Sequence, residues 1–273
     1  MNIVRLMGGI GNQLFQYSFG LVLESTGRDV AYDMSWYMTK GATHERWPRP
    51  LRLDKFQIED LKIHSFIPTN PMVYEHKVGF DMGLFGLKTD CNFEGYWQYY
   101  DYYRQVVPAL QQIFQLRTEV YTEEFLKYAE QIWSGESVSV HVRRGDYQKH
   151  RKGAFRDLPA QYYFSAIREV EGDLFIFSDD IPWCKETFKQ VYYTRKITFV
   201  DVEDYLALEL MRYCKHNIIT NSTFSWWAAL LNQNEGKKVF CPVHYLGDSE
   251  EDSIRLRYPQ EWIKLKDYAT HIV

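Results

Sequence analysis

Two adjacent arginines at the end of a strand-like run are the residues of this chain best suited to chemistry. In residues 137–147, SVSVHVRRGDY, Val138, Val140 and Val142 alternate with Ser139, His141 and Arg143. Period-two alternation is that of a strand, and it puts His141 and Arg143 on one face. Arg143, Arg144, Gly145 and Asp146 follow where the strand should end. In an open α/β sheet that carboxyl edge is where ligands bind. Guanidinium groups there suit an anion, and their planar fork suits a diphosphate. An exposed loop with an Arg144–Asp146 surface pair is the plainer reading. Asp146 is placed either to take a proton from a hydroxyl or to brace backbone N–H groups or Arg144. His141 is a candidate base.

Three more loops offer related chemistry. In 217–231, NIITNSTFSWWAALL, a strand runs into Asn221, Ser222 and Thr223, and an amphipathic helix follows. Serine and threonine are natural N-caps. A helix N-terminus bordered by Ser222, Thr223, Phe224 and Ser225 suits a phosphate, or it is an ordinary cap. In 177–182, FSDDIP, Ser178, Asp179 and Asp180 end a second strand at the same edge. The two carboxylates could hold a metal, accept from a purine or ribose, or cap the next helix, a role that fits Asp180 best. Residues 8–13, GGIGNQ, resemble a dinucleotide fingerprint at Gly9 and Gly11, but Leu14 stands where the third glycine belongs. Asp33 lies where a ribose-binding acid would sit. The segment 149–156, KHRKGAFR, reads as a basic loop: a lid over a ligand, a contact with anionic lipid, or simply a solvated turn.

These loops need elements to position them. Residues 2–6 read as a strand, 12–26 as a helix ended by Gly27, and 29–32 as a second strand. Residues 34–90 are poorly periodic and hold four of the nine prolines, Pro48, Pro50, Pro68 and Pro71, which predicts loops and short helices. Helices are predicted over 96–116 and 122–133. From 136 onward, strands at 137–143, 174–178, 196–200, 217–220 and 238–241 alternate with helices at 159–170, 182–190, 201–215 and 223–233. Such alternation means a parallel sheet. The expectation is an α/β protein of two Rossmann-like lobes, 1–135 and 136–273, with a cleft between them and a C-terminal tail free to pack back on the first lobe.

Composition narrows the classes. The net charge of −4 in 273 residues does not favour a nucleic-acid binder. The aromatic share of 17% fits a carbohydrate-handling protein and equally an aromatic core. Cys91, Cys184, Cys214 and Cys241 have neither CxxC spacing nor a neighbouring histidine at metal-ligand spacing, and read as reduced core thiols. The N-terminus lacks the apolar run of a signal peptide, and no apolar stretch is long enough to span a bilayer. A cytoplasmic protein is expected.

Taken together, GGIGNQLFQY (8–17), HVRRGDY (141–147), FSDDIPWCK (177–185) and HNIITNSTFSWWAALLN (216–232) resemble the α-1,2-fucosyltransferases of glycosyltransferase family 11. GYWQYYDYY (95–103) and YYFSAI (162–167) are similar to that family too, and the resemblance runs from residue 3 to residue 243. The combination is specific, whereas HxRRxD alone is shared more widely among fucosyltransferases. The resemblance implies a GT-B arrangement, a GDP-fucose donor, inverting transfer, and no cofactor or metal. It puts Arg143 on the diphosphate, His141 and Asp179 or Asp180 on the guanosine, and 221–225 around the phosphates. The donor set then comprises Gly9, Gly11, Asn12, Gln13, His141, Arg143, Arg144, Ser178, Asp179, Asp180, Asn221, Ser222, Thr223, Phe224 and Ser225. Arg143 and Asp146 are the catalytic candidates. Asp33, Glu94, Tyr96 and Trp97 are the acceptor candidates, with segment 34–90 choosing among β-galactosides. Eukaryotic members carry a Golgi anchor, and none is expected here. The expectation is a bacterial enzyme of surface-polysaccharide or O-antigen assembly, at the inner face of the membrane if its acceptor is lipid-linked. Rival readings are another GDP-sugar transferase, a non-catalytic glycan-binding protein and a nicotinamide-dependent oxidoreductase.

Overall fold

A computed structural model describes residues 1–39, 49–76, 79–145, 157–193, 195–243 and 257–266. Asp146 and the basic segment 149–156 lie outside the described residues. The chain divides into two units, Met1–Arg117 with Leu256–Tyr258, and Thr118–Arg255 with Pro259–Val273.

The first unit is built on the apolar run after Met1. Strand β1 (Asn2–Arg5) leads through the glycine loop to helix α1 (Ile10–Ser25) and strand β2 (Val30–Asp33). Strands β3 (Met72–Tyr74) and β4 (Asn92–Glu94) complete a parallel sheet in the order β2-β1-β4-β3. Ile3, Val4, Phe19 and Phe93 fill its core. Gly20 allows α1 to approach β2, because a Cβ there would lie 2.3 Å from the Tyr32 hydroxyl, which donates to the Tyr17 carbonyl. Sequence periodicity misses β3 and β4, which are too short to show alternation.

The predicted helix over 96–116 is a correction. Its first half is a 3-10 turn, Tyr100–Tyr102, and only α2 (Val107–Ile113) is α-helical. The Glu75 carboxylate accepts from the Tyr96 and Trp97 N–H groups, and Trp97 sits at φ 55. A left-handed Trp97 cannot continue a right-handed helix, and α2 instead starts at Val107, with Pro108 in its first turn.

The second unit contains α3 (Glu123–Trp133), β5 (Ser137–Val142), α4 (Ala160–Ile167), β6 (Asp173–Ser178), α5 (Ile181–Thr187), β7 (Ile197–Val200), α6 (Asp204–Tyr213), β8 (His216–Ile218), α7 (Thr223–Leu231), β9 (Val239–Pro242) and β10 (Ile263–Leu265). Its six strands are parallel in the order β10-β9-β8-β5-β6-β7. That is the doubly wound Rossmann order, whose switch point lies between β5 and β8. Val138, Val140 and Val142 face a core of Tyr162, Tyr163, Ile176 and Phe188. Helix α3 falls in this unit and not in the first lobe, because Phe125, Ala129 and Ile132 bury its apolar face as it packs on α6. The boundary between the two units lies at 117/118, and Leu256–Tyr258 belongs to the first. Helix α5 stops at Thr187 and tightens into a 3-10 turn, short of the predicted 190. All four cysteines are free and buried. Among the described residues no helix is long and apolar enough to cross a membrane.

Candidate active site

Every residue of β5 is buried, and the strand delivers its C-terminal residues to the centre of the sheet's carboxyl edge. The register pairs Val142 with Ser178, so Arg143 and Asp179 emerge side by side. Arg143 Nη1 lies 3.0 Å from Asp179 Oδ2. The Asp179 carboxylate also accepts from the Arg144 N–H at 2.9 Å and the Gly145 N–H at 3.1 Å. Asp180 has a different task. Its side chain caps α5 by accepting from the Trp183 N–H, and it accepts from Arg144 Nε at 3.2 Å. Ser178 Oγ accepts from the Asp180 N–H. The Arg144 guanidinium lies 4.2 Å from the centre of the Trp183 ring and 3.7 Å from Asp157. Arg144 is thus held on several sides by the protein itself.

On the other side of β5, the chain leaves β8 through Thr220, Asn221 and Ser222 and enters α7. Ser222 is the N-cap, its hydroxyl accepting from the Phe224 N–H. Ser225, one turn in, is fully buried; its hydroxyl accepts from the Thr220 N–H and meets His141 Nδ1 at 2.8 Å. Ser225 therefore serves His141 and the loop. The Phe224 ring packs edge-on to His141. Burial, with a smaller contribution from the Arg143 charge, lowers the His141 pKa from 6.5 to about 3, so the imidazole is neutral at physiological pH. A neutral imidazole offers one N–H donor and one acceptor.

The remaining predicted residues stand at the carboxyl edge of the first unit's sheet. Gly8 takes φ +80, and Gly9 is the N-cap of α1, close under the Arg49 side chain. Gly11 is buried in the first turn of α1. Asn12 accepts from the Gln98 amide, which in turn accepts from Arg257. Gln13 is buried, donating to the Gly8 and Pro50 carbonyls and accepting from the Arg52 N–H. It ties the glycine loop to segment 50–52 and presents no surface to a ligand. Asp33 and Glu94 are bridged by Arg5, with bonds of 3.0 and 2.7 Å, and Asp33 accepts further from Ser35. Arg5 lies 4.0 Å above the Phe66 ring. Tyr96 is 43% exposed, but Trp97 is only 1% exposed and stacks on Phe19 at 4.2 Å. Trp97 is thus a core residue and not a sugar platform, its ring drawn inward by the turn at Glu75. Sequence reasoning missed Arg5, Asp157 and Trp183. A charge alternating into β1 was the only available sign of Arg5, and pairings across distant loops leave none.

A sheet of Rossmann order presents cations and a capped helix at its switch point, where open α/β sheets bind ligands. Comparison with known proteins narrows the class. The profile of glycosyl transferase family 11 matches residues 1–266, and the chain belongs to that family of glycosyltransferases. It is 28% identical to an Escherichia coli α-1,2-colitosyltransferase, over 97% of this chain and 98% of the relative. It is 32% identical to human galactoside α-(1,2)-fucosyltransferase 1, over 41% of this chain and 33% of the human protein. Its fold is shared with the α-1,6-fucosyltransferase NodZ co-crystallised with GDP, with a TM-score of 0.53 at 17% identity over 84% of this chain and 91% of NodZ.

Proposed function

We propose that this glycosyltransferase moves L-fucose from GDP-β-L-fucose, with inversion, to the 2-hydroxyl of a β-galactoside in a surface glycan such as an O-antigen. The observation that carries the reading is the placement of Arg143 and the Ser222-capped α7 on β5 and β8, the two strands that flank the switch point. Negative charge grows on the β-phosphate as the C1–O bond breaks, and the sugar takes on oxocarbenium character. Arg143 and the N-terminal end of α7, with Asn221, Ser222 and Thr223, stabilise that charge. Neutral His141, held by Ser225, contacts the nucleoside. Asp146 takes the acceptor proton. Glu94 and Tyr96, reachable from solvent, meet the acceptor, with Arg5 and Asp33 setting the Glu94 carboxylate. No cofactor or metal takes part. The enzyme works in the cytoplasm, on a lipid-linked acceptor at the inner membrane face.

A second donor has one observation in its favour, the match to an α-1,2-colitosyltransferase over nearly the full length of both chains. Colitose is L-fucose without its 3-hydroxyl, so the same leaving group and linkage chemistry apply. The test is to incubate the full chain with EDTA, a simple β-galactoside such as lactose, and either GDP-fucose or GDP-colitose, and to assign the product linkage by NMR. An α-1,2-linked fucoside supports the first reading, and product from GDP-colitose alone establishes the second. Transfer that appears only after a divalent metal is restored refutes metal independence. Absence of both product and any GDP-induced melting shift overturns the donor class.

A further inference from the structure

We propose that Asp179 is a positioning residue that closes the 143–145 turn and sets Arg143 to meet a diphosphate, and that it does not read the guanine base. The inference rests on the reading of this edge as a GDP-sugar site. The β5–β6 register brings Arg143 and Asp179 out of the sheet as neighbours. One carboxylate then meets three donors: Arg144 N–H on Oδ1, and Gly145 N–H and Arg143 Nη1 on Oδ2. A carboxylate has about four acceptor sites, so three are already filled. Reading the N1–H and 2-amino edge of guanine takes two, and Asp179 would have to release part of the turn to do it.

Consecutive backbone N–H groups form a concavity that binds an anion. Here the anion is Asp179 itself. The turn's backbone is thereby closed off, and the diphosphate is left to Arg143 and α7. The ion pair with Asp179 fixes the plane of the Arg143 guanidinium. The neighbouring Asp180 does none of this, being committed to the α5 cap and to Arg144.

The test uses the full-length protein and calorimetric titration with GDP and with inosine 5′-diphosphate, which lacks the 2-amino group. Asp179→Ala and Asp179→Asn should each bind GDP about tenfold more weakly, the loss of one charge-assisted contact. The GDP-to-IDP preference should stay within about twofold of wild type, and Arg143→Ala combined with Asp179→Ala should bind GDP as Arg143→Ala alone does, because the two residues act as one unit. Unliganded melting identifies a variant that has lost its fold, in which case the isosteric Asn variant gives the answer. A collapse of the GDP-to-IDP preference, unchanged GDP affinity, or additive losses in the double variant overturns the proposal. A wild-type protein that binds neither nucleotide refutes the GDP-sugar reading instead.

Discussion

Arg143 and Arg144 are neighbours in sequence with different surroundings. Arg144 lies over Trp183 between Asp157 and Asp180, as a structural cation would. Arg143 has its guanidinium set by Asp179 at the sheet edge. Arg143→Ala should lower turnover by at least about a hundredfold, the effect of removing one preorganised donor from a developing charge. Arg143→Lys should not restore it fully, because an ammonium cannot reproduce the planar fork. Steady-state kinetics checks both, and near-wild-type turnover in the alanine variant would remove Arg143 from the mechanism. His141 makes a prediction about stability. Its pKa is about 3 in the fold and ordinarily 6.5, so the unfolded chain takes up its proton first. Stability that is complete above pH 6.5 is then lost as pH falls toward 3. Against His141→Gln, the wild type should lose up to about 1.4 kcal/mol more per pH unit in that window, the slope of one proton. Denaturant melts across the pH range would reveal it, and parallel curves for the two proteins would contradict the burial argument. At this scale the sequence was readable where neighbours along the chain carry the chemistry, as in HVRRGD. It was silent where partners come from distant loops, as Trp183 does beneath Arg144.

Helix α7 is a mount for the residues at its N-terminus. Residues 225–231 are buried, and its C-terminal end is tied down by polar groups. Asn232 donates to the Cys214 carbonyl and to Asn217 Oδ1, while Asn217 donates to Ser139 Oγ on β5 and to the Met211 carbonyl. Asn232→Ala would strand the buried Asn217 Oδ1, while the Cys214 carbonyl keeps the Asn234 amide as a donor. At about 1–3 kcal/mol for an unsatisfied buried group, it should cost about 2 kcal/mol, read from equilibrium denaturation. A loss under about 1 kcal/mol would mean that water or a side-chain shift satisfies it. The alternating β/α pattern from residue 136 onward was legible because parallel strands buried on both faces read as apolar runs. The 96–116 error has a specific cause. Tyr, Trp and Phe have no strong helical aversion, so the pattern could not report that Trp97 takes a left-handed backbone with its N–H and that of Tyr96 on Glu75.

At the scale of the whole molecule, the chain does not divide in sequence order. The Leu256–Tyr258 segment belongs to the first unit, where Arg257 donates to the Gln98 carbonyl and the Tyr99 hydroxyl. Tyr258 is buried there. Tyr258→Ala should destabilise the full chain by about 3 kcal/mol, as other large aromatic truncations do. Thermal or denaturant unfolding would show it, and an unchanged midpoint would mean that the segment merely rests on its surroundings. The order of strands in the second sheet has a consequence in time. Strand β5 leaves the ribosome early and gains β6 soon after, but its other neighbour, β8, and the α7 residue that meets His141 lie far downstream. During synthesis one edge of this strand, buried along its whole length in the finished fold, stays open while that intervening chain is made, a state in which nascent sheets are prone to stick or to need a chaperone. The β5–β8 edge is thus among the last parts of the protein to exist, and a chain stalled before α7 would carry the arginine motif without the helix that stands beside it.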